Sequence, residues 1–269
     1  MTSSSGSAAG AMAELPIVNM LWVDGQLGPV ERACMRSVLR QGHRLVLWHY
    51  FPLEGVPQGA ELRDGDAVVP RSRLIRHKAT GSWSLFSNLF RYELLRQGLG
   101  LWFDCDCYLL HPVAWDGGLL AGFDSNGLVA CGVLGLPVDS PVLDRLIGYF
   151  DAREVPPWLP LRWRVRFTIQ RWLQGRFPIE QMPWGNLGPR AVTAMIAEFG
   201  LLDQVKPAEV FYPWSWQEAE LVFEPVSQVM ARISPSTVAL HLYNQMIRER
   251  KNQLPPPGSF LERLHREGA

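Results

Sequence analysis

A single α/β domain, with a mostly parallel central sheet flanked by helices, is the fold class that this sequence predicts. Three observations point to it. Apolar, strand-like runs alternate with segments of helical periodicity. The 269 residues, 47% of them hydrophobic, suffice for one large core. The strand after the second helix runs straight into Asp104-Cys105-Asp106, and open parallel sheets present polar, ligand-binding groups at their carboxyl ends. The domain is expected over residues 14–252. A Ser-, Gly- and Ala-rich tail expected to be disordered precedes it (1–13), and a linker with a short amphipathic helix follows (253–269).

The elements follow in order. "PIVNMLWVDG" is an apolar run closed by Asp-Gly, a buried strand and then a loop. "PVERACMRSVLRQG" carries Val30, Ala33, Cys34 and Val38 at helical spacing and stops at Gly42. "RLVLWHY" is a second strand and "DAVVP" a short third. "SLFSNLFRYELLRQG" places Leu85, Leu89, Tyr92 and Leu95 on one helical face and ends at Gly98, and the strand leading to the aspartates comes next. Farther on, "LLAGF" and "GLVACGVLG" read as strands, and "SPVLDRLIGYF" and "NLGPRAVTAMIAEFG" as helices. "TVALHLYNQMI" reads as a late strand entering a helix, and the region 153–184 is rich in Pro, Trp and Arg.

Charge and cysteine usage narrow the class. With 26 basic and 26 acidic side chains, the net charge of zero argues against nucleic acid as the main partner. Cys34, Cys105, Cys107 and Cys131 form no C-x-x-C pair, as expected of thiols in a reducing compartment. The first residues lack a basic stretch followed by an apolar one, and no apolar run approaches about 18 residues, so a soluble, cytoplasmic protein is expected.

Residues 100–112 read "GLWFDCDCYLLHP", with two carboxylates set one residue apart between apolar runs. Burying an ionised carboxylate without a partner is costly, and burying two like charges is worse. Asp104 and Asp106 are therefore expected where the strand leaves the core, facing positive charge. In extended chain, residues i and i+2 project to one side, so both carboxylates face one point, as a divalent cation with oxygen ligands requires. A polar turn, with either aspartate capping a neighbouring backbone, is the competing reading.

Four stretches, taken in order, resemble one family: "SNLFRYELLRQGLGLWFDCDCYLLHP", "SNGLVACGVLG", "WGNLGPRAVTAMI" and "ALHLYNQ". They are similar to the glycosyltransferases with a DXD sugar-binding region. That group includes α1,4-galactosyltransferases, α1,4-N-acetylglucosaminyltransferases and an initiating fungal mannosyltransferase. The chain departs from the pattern at Asn88, where the family usually has Asp, and at Leu99-Gly100, which replaces a Gly-Gly pair. The resemblance implies a GT-A-like, Rossmann-like single domain that transfers a hexose from a nucleotide sugar. A UDP-hexose donor is expected, UDP-galactose first and GDP-mannose as the alternative, with Mn²⁺ or Mg²⁺, a glycan or lipid-linked acceptor, and retention of configuration. A non-catalytic sugar-nucleotide or glycan-binding protein of the same fold is the alternative reading.

The resemblance also implies roles. Asp106 would ligate the metal directly, and Asp104 would reach the ribose and the metal's shell. His241 would be a third ligand, against the competing reading of a hydrogen-bonded core histidine. Asn244 would contact the diphosphate or donor sugar. Arg91 shares a helical face with Asn88; it would pair with Asp104 or touch the donor, or else form a surface salt bridge. Trp22 stands where a base-stacking residue or a core Trp would, and Asn126 and Gly127 would line the donor sugar. Trp184 and Asn186, just before the helix start at Gly188-Pro189, would form the acceptor wall.

The segment "PPWLPLRWRVRFTIQRWLQGRF" (156–177), read as a helix, puts Leu161, Val165, Ile169 and Trp172 on the core side. Trp163 and Phe167 then face out among Arg164, Arg166 and Arg171. The alternation from Leu161 to Ile169 equally permits a strand. Exposed aromatics ringed by arginines suit an anionic membrane surface, which would make the protein peripheral on the inner face of the membrane. A flap over the active site is the other reading.

Overall fold

The structure is a computed structural model that describes residues 14–269. Five strands form the central sheet: β1 (Val18–Leu21), β3 (Leu45–His49), β5 (Ala60–Asp64), β6 (Leu101–Phe103) and β8 (Val133–Leu134). Their spatial order is β5-β3-β1-β6-β8; all pairs are parallel except β6 with β8. Two small sheets lie outside it. One pairs β2 (Gly25–Gln26) with β4 (Leu53–Glu54), and the other pairs β7 (Cys107–Leu109) with β9 (Ala239–His241).

A sheet buried on both faces needs strands that are apolar throughout, and the two faces sort by alternate residues. Val18, Met20, Leu45, Leu47, Leu101 and Phe103 pack with Met35 and Val38 of α1 (Pro29–Arg40). Val46, Trp48 and Trp102 point the other way, toward Phe86, Leu89 and Phe90 of α2 (Ser84–Arg96). The helices α3 (Pro141–Gly148) and α5 (Pro189–Glu198) complete that second layer. Asn19 is the one polar residue inside β1, and every group it carries is used. Its Nδ2 donates to the carbonyls of Leu99 and Leu101 at 2.9 and 3.2 Å, while its Oδ1 accepts from Trp48 Nε1 at 2.9 Å. It thus ties β1 to the strands on both sides. Gly100 has φ +116°, and a Cβ there would stand 2.4 Å from the Ile17 carbonyl oxygen. Glycine is what lets β6 start against β1.

Two sequence expectations shift. The third strand is Ala60–Asp64 rather than "DAVVP", whose Val68 and Val69 are buried but unpaired. The actual strand lies on the sheet edge with its last three residues exposed, so it has no apolar pattern to find. "LLAGF" forms only isolated bridges, and "GLVACGVLG" is a strand at Val133–Leu134 alone. The rest is the GT-A-like α/β arrangement that the resemblance implied.

The chain from residue 161 onward also contributes α4 (Leu161–Gln174), α6 (Ala208–Phe211), α7 (Val226–Met230), α8 (Asn244–Ile247) and α9 (Phe260–Gly268). The sequence suggested α9 as an appendage beyond the domain, yet it packs along α1. Phe260, Leu261 and Leu264 are fully buried with Val30, Ala33 and Cys34. Glu267 fixes the register: its carboxylate accepts from Arg40 at 2.8 Å, Arg263 at 2.8 Å and the Tyr108 hydroxyl at 2.7 Å. Burial would raise the Glu267 pKa, but Arg263, Tyr108 and Arg40 outweigh it and hold it below the ordinary value.

Leu264→Ala is expected to cost about 2–5 kcal/mol in urea unfolding, as for a core leucine. For Glu267→Gln the sign follows from the depressed folded pKa. The stability deficit against wild type is full above the unfolded value of 4.5 and disappears as pH falls through the lower folded value. Paired urea titrations from pH 7 down to pH 3 read this directly.

Candidate active site

After β1 the chain passes to β3 on one side, and it later returns to β6 on the other. Strand order therefore reverses between β1 and β6, the position where open α/β sheets form a ligand crevice at their carboxyl ends. Trp22 follows β1 there and Asp104 follows β6.

Asp104 is anchored from beneath. Its Oδ1 accepts from Trp102 Nε1 at 2.9 Å and Arg91 Nη2 at 3.0 Å. Arg91, only 4% exposed, also bonds the Cys131 carbonyl and lies 4.9 Å over the Trp102 ring. Burial works to lower the Arg91 pKa, and the Asp104 charge more than restores it. Arg91 is thus a buried partner of Asp104. The expected pairing with Asp104 is therefore present, and it is buried rather than a surface bridge.

His241 arrives from the far end of the chain. β7 begins directly after Asp106, and its antiparallel pairing with β9 sets Cys107 opposite His241. Tyr243 then adopts φ 52°, a left-handed conformation that is uncommon outside glycine and turns the chain into α8. This turn brings the Asn244 backbone N–H to Asp106 Oδ2 at 2.8 Å. His241 Nε2 lies 3.4 Å from Asp106 Oδ1 and 3.8 Å from Asp104 Oδ2, with the Tyr243 ring edge-on at 4.4 Å. Burial would lower the His241 pKa, but the two facing carboxylates outweigh it and drive it upward. Asp106 shifts down against its own burial, through His241, the Asn244 N–H and Lys251. The arrangement demands positive charge between the carboxylates.

A protonated His241 would meet that demand, and so would a divalent cation held between the same groups. Ligand atoms around an octahedral ion with bonds of about 2.1 Å stand about 3 Å apart, close to the Asp106–His241 separation. Asp106, Cys107 and His241 offer ligand atoms within 4.8 Å of one another. The Cys107 thiol is pushed up by burial and then by Asp106 and Asp104, and it donates to the Gly132 carbonyl at 3.4 Å. Of these donors the carboxylate is the hard one that Mn²⁺ or Mg²⁺ favours, imidazole is intermediate and the thiol the softest. Gly132 leaves them room: a Cβ there would lie 2.9 Å from His241 Cδ2 and 3.3 Å from Asp104 Oδ2.

A second shell surrounds this group. Glu31 of α1 is fully buried, bonded to Lys251 Nζ and to Asn244 Nδ2, the latter at 2.5 Å. Lys251 also lies 6.0 Å from the Trp22 ring centre. Trp22 Nε1, Glu31 Oε2, His241 Nδ1 and Asn244 Oδ1 are buried atoms without a protein hydrogen-bond partner. Sequence reading missed Glu31, Lys251 and Gly132. An acid in the first turn of a helix reads as a partner for the helix dipole, and no spacing links Lys251 to residues 220 positions earlier.

The other expected residues scatter around this centre. Asn126 and Gly127 occupy an exposed turn closed by Asp124 Oδ1, which accepts from Asn126 N at 2.8 Å. Asn88 faces the start of α5, with its side-chain amide 3.1 Å from where a Cβ on Gly188 would stand. Trp184 is half exposed beside it, against His77. Asn186 is 5% exposed, and its Nδ2 closes its own turn on the Pro183 and Trp184 carbonyls, while its Oδ1 has no protein partner; it lines the same pocket as Trp184 and Asn88.

The helix α4 is reversed relative to expectation. Phe167 is fully buried and stacks on Phe177 at 4.9 Å, and Trp163 is half-buried beside it. Phe167 therefore cannot reach a membrane. Aromatic bulk wins the inner side because Phe177 and Leu159 supply an apolar seat there. Arg164, Arg166 and Arg171 are exposed as expected. The expected tail over 1–13 lies outside the described residues, and among the described residues no helix is long and apolar enough to cross a membrane.

Residues 180–268 match the family model described as Alpha 1,4-glycosyltransferase conserved region. No curated protein matches the chain significantly. The matched region contains Trp184, His241, Asn244 and Lys251, and it packs against the Asp104–Asp106 turn that precedes it.

Arg91→Met is expected to destabilise the fold by about 3–5 kcal/mol, the cost of stranding one member of a buried ion pair. A double-mutant cycle in urea with Asp104→Asn should return a favourable coupling energy for the pair.

Proposed function

Because this chain is a glycosyltransferase carrying the α1,4-glycosyltransferase conserved region, we propose that it moves a hexose from a UDP-sugar, in a metal-dependent reaction, to a glycan or lipid-linked acceptor. UDP-galactose is the first candidate donor and GDP-mannose the alternative. The observation that carries this reading is the convergence of Asp104, Asp106 and His241 at the strand-order reversal, where two carboxylates require a cation. Asp106 and His241 hold Mn²⁺ or Mg²⁺, with Asp104 oriented by Arg91 and Trp102 at its edge. When bound, the ion supplies the charge that stabilises a departing diphosphate.

The residues of the chain do the rest. Trp22 offers a flat surface for the base at the end of β1. Lys251 and the unpartnered Asn244 Oδ1 offer a cation and an acceptor beside Asp106. The Asn126–Gly127 turn and Asn88 bound the donor side, and Trp184 and Asn186 the acceptor side. Front-face transfer with retention is the mechanism we infer, in which the leaving diphosphate helps to deprotonate the acceptor hydroxyl. In support, Asp104 and Asp106 face His241, and Glu31 is bonded to Lys251 and Asn244, so each of these carboxylates already has a partner. The four cysteines are free and buried, which suits a cytoplasmic location.

Asp106→Asn removes one ligand charge at nearly constant volume. Mn²⁺-dependent UDP release from UDP-galactose should fall to background while the thermal midpoint is retained; near-normal release would exclude this metal assignment. Gly132→Ala pushes on both His241 and Asp104. Its Mn²⁺ affinity in calorimetry should fall about 10- to 100-fold, the range for displaced metal-site support.

A further inference from the structure

The outward face of α4 is apolar. Leu161, Val165, Ile169, Trp172 and Leu173 are between 51 and 82% exposed. At about 100° per residue they fall within one sector of about 120°, opposite the buried Phe167. Five of the fifteen large apolar side chains exposed among the described residues therefore sit on one helix. Scattered exposed apolar residues need no explanation, whereas a continuous stripe does.

Arginines border this stripe on both sides. Arg162 and Arg166 lie along one edge, Arg164 and Arg171 along the other, and Arg176 follows the helix. Between Glu154 and Glu180 there is no Asp or Glu. Among the described residues none of these five arginines forms an ion pair. Arg166 donates to Gln181 Oε1 at 2.6 Å and Arg171 to the Arg153 carbonyl at 3.0 Å.

We propose that this face of α4 seats on an anionic lipid surface. Leu161, Val165, Trp172 and Leu173 would enter the headgroup boundary, while the arginine stems lie along it with their charges toward lipid phosphates. Charge decides between this occupant and a second copy of the chain. An isologous dimer through the stripe would bring arginines against arginines with no carboxylate on either side. The contact stands independently of catalysis. Its purpose rests on the reading above: α4 packs on the segment 177–187 that carries Trp184, so a lipid-linked acceptor would enter from the docked side.

The test is co-sedimentation of the full chain with phosphatidylglycerol-containing vesicles and with pure phosphatidylcholine vesicles, at low and high salt. Wild type should bind the anionic vesicles at low salt and be released by high salt. Trp172→Ser/Leu173→Ser should bind about tenfold more weakly or worse, with Mn²⁺-dependent UDP release in solution unchanged. Equal binding by both proteins, binding to neither vesicle, or a concentration-dependent dimer that the double variant abolishes would overturn the proposal. Vesicle binding is scored without turnover, so loss of UDP release in wild type would count against the function and leave this contact standing.

Discussion

Two carboxylates one residue apart must be compensated by positive charge, and the architecture around Asp104 and Asp106 is organised by that requirement. Arg91 meets Asp104 from inside the helical layer at 3.0 Å. His241 meets both from the opposite side, and Lys251 lowers the Asp106 pKa from farther out. Each of these groups comes from a different part of the chain, so the site can exist only in the folded protein. The same unlike-charge packing explains why an arginine with 4% exposure is tolerable at all.

Backbone geometry delivers these groups. The central sheet aims the ends of β1 and β6 at one crevice, and Asn19 locks β1 to its neighbours with a fully satisfied side-chain amide. The two-strand ladder of β7 and β9 is short, yet it fixes the register of Cys107 opposite His241; a slip of one residue would turn the imidazole to the other face. Left-handed Tyr243 then supplies the turn that spends the Asn244 N–H on Asp106. Behind that ladder, α9 and α1 bury the C-terminal cluster, so the stability of the last helix and the position of Glu31 and Lys251 belong to one packing unit.

The molecule also has a side that its core does not explain. The inner face of α4 is claimed by Phe167, and the leftover apolar residues, edged with arginines that form no ion pair among the described residues, remain in solvent. Aromatic packing inside thus determines which chemistry the helix offers outside.

By itself the sequence determined the fold class, the order of the helices and the buried strands, and Asp104 and Asp106 as the residues to watch; His241 and Asn244 entered through the family resemblance. It could do so because continuous apolar runs, helical periodicity, glycine stops and a charged pair at a strand end are local signals. Tertiary structure decided the rest. It chose Ala60–Asp64 as the edge strand, where pairing rather than hydrophobicity makes the strand. It buried Arg91 beneath Asp104 and recruited Glu31, Gly132 and Lys251. It also chose which of two plausible apolar faces of α4 to bury, because helical periodicity reports that a face is apolar but not which neighbour waits for it. Phe177, ten residues on in the chain and stacked in space, settled that choice.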